Sequence, residues 1–74
     1  MKITQTQIQI FEEYIDEAEV YLSASQQTNN VKYMLKAIND EIKTSGVDWQ
    51  YELNERGKIL QKLYEEIYEQ NEVE

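Results

Sequence analysis

Carboxylates are the side chains this chain offers in quantity for chemistry: 15 Asp and Glu stand against 7 Lys and Arg, with no His and no Cys. Glu12 with Asp16, and Glu13 with Glu17, recur four residues apart, a spacing that sets two carboxylates one above the other on a helix. Such pairs can ligate a hard cation or work as acid and base, and both uses need more than the pair. A calcium loop requires backbone oxygens at set intervals, and nothing here matches an EF-hand. Covalent or acid-base catalysis would call for a nucleophile with its base or a Gly-rich phosphate loop, and neither motif occurs. The sequence therefore reads as non-enzymatic, with no cofactor and no metal centre.

Another use of the same residues is recognition. Glu12, Glu13, Asp16, Glu17 and Glu19 share one side of a predicted helix without a base among them, and Val20 lies inside their arc. Neighbouring like charges repel one another, and a solubilising face is the simpler account of them. The sharper account makes these six residues a surface that docks on a basic patch of another protein. The formal charge of -8 repels nucleic acid and anionic membrane and attracts basic surfaces. No direct nucleic-acid binding and no membrane association are expected. The second predicted helix, with three Lys against Asp40 and Glu41, makes a poor DNA-recognition helix. The leading functional expectation is a small inhibitor that occupies a nucleic-acid-binding surface by mimicking nucleic-acid charge. Smallness, acidity and lack of chemistry suit a phage or mobile-element product.

Aromatic residues supply the competing expectation. Tyr14 and Tyr21 flank the first helical stripe, and Tyr64 and Tyr68 fall one turn apart at the edge of the last. Rings at the rim of a thin core extend that core, and they are also enriched at protein interfaces. These four Tyr would serve a homodimer, making the chain a self-associating adaptor or scaffold. A third class is a regulatory subunit of the antitoxin or anti-activator kind, folding fully only on its partner. Arg56, the only Arg, interrupts an apolar stripe. It is expected to snorkel or to pair with Glu52 one turn earlier; in an oligomer seam it would set register.

Three helices must position these groups. The first spans about 6–25, with Thr4 or Thr6 as its cap, and Ile8, Phe11, Ile15, Ala18 and Leu22 repeat along it at three- and four-residue steps. Polar residues 26–30 form a turn in which Thr28, Asn29 or Asn30 caps the second helix, about 30–44, carrying Val31, Met34, Leu35, Ile38 and Ile42 on one stripe. Lys32 and Lys36 lie opposite, where an antiparallel bundle would bring them toward Glu65, Glu66 and Glu69. Gly46 is expected to close that helix in the left-handed conformation and Asp48 to cap the third, about 48–70. Trp49, Leu53, Leu60, Leu63, Tyr64 and Ile67 form its stripe, with Gly57 as the place where it would kink. No sustained period-two alternation is read. Short connections make the three helices an antiparallel up-down-up bundle, all-α, with the third outrunning the second by about two turns.

Length sets the stability problem. Seventy-four residues make one domain, 1–74, frayed at about 1–5 and 71–74, and a chain so short buries only about 60% of its unfolded surface. Without Cys or His there is neither disulfide nor thiolate or imidazole zinc site to compensate. Residues 1–10 do not read as a secretory leader and no run of ~18 apolar residues is found, so a cytoplasmic location is expected.

Overall fold

The computed structural model describes residues 1–71, and four helices rather than three account for them: α1 (Gln5–Tyr14), α2 (Ala18–Thr28), α3 (Lys32–Ser45) and α4 (Glu55–Gln70). The all-α expectation holds and the helix count does not. Thr4 begins α1 with a capping box, its hydroxyl accepting from the Gln7 N–H at 3.1 Å while the Gln7 side chain accepts from the Thr4 N–H at 3.0 Å.

The predicted first helix breaks at Ile15–Glu17. Ile15 is extended (φ -108°, ψ 123°) and Glu17 is left-handed (φ 56°, ψ 34°), a region that non-Gly residues seldom enter. A continuous helix would bond the Tyr14 carbonyl to the Ala18 N–H. Instead the Arg56 guanidinium donates to that carbonyl at 2.7 Å, satisfying an acceptor left free at a helix end. Ile15 and Ala18 stay buried on either side of the break. The apolar rhythm thus continues through it, and the sequence pattern carries no mark of the interruption.

The turn from α2 to α3 is conventional: Asn29 is left-handed and the Asn30 N–H donates to the Ser25 carbonyl at 3.0 Å, the long bond of a Schellman closure. Asn30 then turns its side-chain oxygen to the Lys32 N–H at 2.9 Å. Ser25 is fully buried, and its hydroxyl accepts from the Met34 N–H at 3.3 Å, joining α2 to α3.

Helix α4 starts at Glu55, not at Asp48. Its cap is Asn54, whose Oδ1 accepts from the Gly57 N–H at 2.8 Å while its Nδ2 donates to the Ser45 carbonyl at 3.0 Å. Gly46 is not left-handed (φ -95°), and Gly57 makes no kink in a helix middle. The chain's two glycines face each other instead. A Cβ on Gly57 would sit 1.9 Å from the Gly46 carbonyl oxygen, and one on Gly46 would sit 3.0 Å from the Gly57 Cα. Two backbones in direct contact thus fix where α3 ends and α4 begins. With 16 residues against 14, α4 no longer overhangs α3 by the expected two turns.

Helix α3 packs most extensively on α4, with α2 beside α3 and α1 closing against α4. Phe11, Met34, Ile38, Leu60, Leu63 and Ile67 are fully buried at the centre. The lead-in before α1 is tied to the far end of α4: the Lys2 N–H donates to Asn71 Oδ1 at 2.6 Å, and Asn71 Nδ2 returns to the Lys2 carbonyl at 2.9 Å. Beneath them, buried Gln7 donates to Gln70 Oε1 at 2.6 Å. The C-terminal end expected to fray lies, beyond Asn71, outside the described residues. No helix among the described residues is long and apolar enough to cross a membrane.

Candidate protein-binding surface

Breaking the first helix re-aims its acids. The left-handed step at Glu17 turns the chain through an elbow, and a shallow open depression there is lined by Glu12, Ile15, Asp16, Glu17, Glu19 and Val20. The acids are exposed and so is Val20, at 62%. Glu13, the remaining member of the sequence-predicted set, is exposed on α1 but does not line this depression. A second depression adjoins it and adds residues that the sequence reading did not include, Asp40 and Glu41 of α3, with Tyr21 between. Their part in the surface could not be read from spacing, because it depends on how α3 lies against the elbow.

Ion pairing compensates Glu41 and leaves Glu12, Asp16, Glu17, Glu19 and Asp40 without a base among the described residues. The salt bridges among the described residues are Arg56 with Glu41 at 3.1 Å and Lys58 with Glu55 at 3.8 Å. The proposed pair of Arg56 with Glu52 is not formed, and neither are pairs of Lys32 or Lys36 with Glu65, Glu66 or Glu69. Arg56 bridges three elements instead: one nitrogen serves the Tyr14 carbonyl and the Glu41 carboxylate, and its guanidinium carbon lies 5.2 Å from the centre of the Tyr14 ring. A cation at the C-terminus of α1 also suits that helix's dipole. The apparent intruder in the α4 stripe is the clasp that holds the elbow. No group of three or more Asp or Glu among the described residues is arranged to hold a metal ion.

The tyrosines divide between two places. Tyr14 is half-buried under Arg56 and Tyr21 lies at the elbow, whereas Tyr64 and Tyr68 stack on α4 with ring centres 6.2 Å apart, Tyr68 being 39% exposed.

Residues 47–53 hold the largest departure from the helical reading. They form a small hairpin closed by a single antiparallel bridge between Val47 and Leu53. Asp48 organises it: its N–H donates to the Glu52 carbonyl at 2.8 Å, and its Oδ1 accepts from the N–H groups of Gln50 at 2.8 Å and Glu52 at 3.0 Å. Tyr51 is left-handed (φ 62°) at the tip. Trp49, placed by periodicity on the stripe of a core helix, is 86% exposed, and Tyr51 beside it is 87% exposed. The signal was present, since Val47, Trp49, Tyr51 and Leu53 alternate strictly with Asp48, Gln50 and Glu52. Trp49 and Leu53 also fit a four-residue helical step, and that match hid the alternation. Searches with this chain against family models, curated proteins and solved structures find no match.

Proposed function

We propose that this chain is a small non-enzymatic binding protein whose acidic elbow covers a basic, nucleic-acid-binding surface of a partner protein and so inhibits it. The observation that supports this reading is the elbow itself: Asp16, Glu17 and Glu19 stand exposed around one depression, beside Asp40, with no base within ion-pairing distance among the described residues. A left-handed Glu costs ~1 to 2 kcal/mol, and this one lies where four exposed carboxylates gather. Charges held in place on a folded surface can substitute for a row of phosphates and steer a basic partner over a distance set by salt.

The test uses immobilised chain and a nuclease-treated lysate, with retained protein eluted in a salt gradient. The expected outcome is a basic nucleic-acid-binding protein released at moderate salt and displaced by added duplex or single-stranded oligonucleotide. Reversal of Asp16, Glu17 and Glu19 to Lys should abolish retention while the far-UV spectrum stays helical. The charge-matched variant with Glu13, Glu65 and Glu69 reversed to Lys, all exposed and outside both depressions, should weaken it far less. Equal loss from both variants would show that net charge, not the elbow, governs binding and would overturn the reading.

A further inference from the structure

The hairpin at 47–53 is built to present two aromatic rings that its own chain does not cover. Trp49 and Tyr51 are 86% and 87% exposed, yet their backbone is held by the Asp48 side chain, the Val47–Leu53 bridge and the Gly46–Gly57 contact below. A rigid aromatic pair of this kind gives a large contact area at low ordering cost, the property that makes Trp and Tyr frequent interface anchors. Such a pair left in water is a standing free-energy cost for a chain with so thin a core.

The same chain carries a groove that fits the pair. Between α1 and α4 lies a cleft of about 340 Å³, lined by Thr6, Ile10, Ile59, Lys62, Leu63 and Glu66, with Ile59 37% exposed on its wall. Charge favours the same seat. Exposed Glu52 beside the rings complements Lys62, which has no ion pair among the described residues, and Lys58, whose 3.8 Å contact to Glu55 is loose; Glu66 in the groove and Asp48 beside Trp49 offset part of this. We infer that two copies of this chain form a reciprocal dimer in which the Trp49–Tyr51 tip of each fills the Ile10–Ile59–Leu63 groove of the other.

Reciprocal exchange of one patch for another closes under two-fold symmetry and leaves no open surface to propagate. The area suits a weak, reversible dimer rather than an obligate one: at about 150–250 Å² per large ring, two Trp49 and two Tyr51 bring roughly 600–1,000 Å² into the contact, below the ~1,200 Å² at which standard-size interfaces begin. The contact does not involve Asp16, Glu17 or Glu19, so it stands or falls apart from the acidic elbow.

Sedimentation equilibrium of the full chain over a wide concentration range tests this, with the single Trp as an intrinsic reporter. The expected result is a monomer–dimer equilibrium whose dimer has blue-shifted Trp emission. Trp49→Ala should weaken it by about tenfold or more, as hot-spot anchors do. Because Trp49 is 86% exposed in its own chain, that variant should keep its helicity. Lys62→Glu should also weaken the dimer, and combining it with Glu52→Lys should restore it. A chain that stays monomeric with water-exposed Trp emission throughout overturns the proposal. So does a dimer that persists in the Trp49→Ala and Lys62→Glu variants.

Discussion

Arg56 shows how one side chain can decide the course of a whole chain. Its guanidinium ends α1 by taking the Tyr14 carbonyl, reaches the Glu41 carboxylate on α3 and lies over the Tyr14 ring, all from the first turn of α4. Charge-assisted hydrogen bonds are worth ~1.5 to 3 kcal/mol when desolvated, and the side chain here is 39% exposed, so solvent screening reduces that figure. Arg56→Ala should therefore destabilise the fold by about 1–3 kcal/mol, measured by urea unfolding. Arg56→Lys should recover only a minor part of it, because one ammonium on a flexible stem lacks the planar fork that serves a carbonyl, a carboxylate and a ring together. A fully stable Lys variant would mean that charge alone closes the elbow.

At the scale of elements, the glycines invert the usual rule. Gly within a helix is ~1 kcal/mol worse than Ala, so replacing Gly57 by Ala should stabilise α4 if propensity governed. The backbone contact with Gly46 leaves no room for a methyl group. Gly57→Ala should instead destabilise by about 3 kcal/mol, toward the upper end of overpacking costs, because the new atom meets a carbonyl rather than a side chain that can swing away. Chemical denaturation of the variant checks this, and a gain in stability would show that the contact is dispensable. The elements also mark how far the sequence could be read. Phe11, Met34, Ile38, Leu60, Leu63 and Ile67 were legible as core because burial imposes a period, and five exposed acids of the elbow region were legible as surface for the same reason. The break at Ile15–Glu17 was not, since no Gly or Pro marks it and Arg56, which satisfies the carbonyl it frees, lies 42 positions from Tyr14. The start of α4 was misplaced because Asp48 and Asn54 are both good caps; spacing alone does not show which of them also reaches back to Ser45, as Asn54 does.

The whole molecule carries a formal charge of -8 with two ion pairs among its described residues, one of them a loose surface pair. Self-repulsion on that scale opposes the compact state, and screening relieves it within a Debye length of ~10 Å at 0.1 M salt. Stability should therefore rise with added sodium chloride, the urea midpoint moving upward between 10 mM and about 0.5 M salt. A falling midpoint would show that the Arg56 clasp outweighs the repulsion of the other acids. The base of the hairpin has a consequence for how such a molecule can change over generations. Gly46, Asn54 and Gly57 hold the ends of α3 and α4 together through backbone and cap, and Val47, Asp48 and Leu53 close the base of the hairpin above them. The exposed side chains at the tip, Trp49, Gln50 and Tyr51, are in that sense a replaceable cassette: they can be exchanged for a new surface while the helices beneath keep their places, much as an antibody framework tolerates new loops.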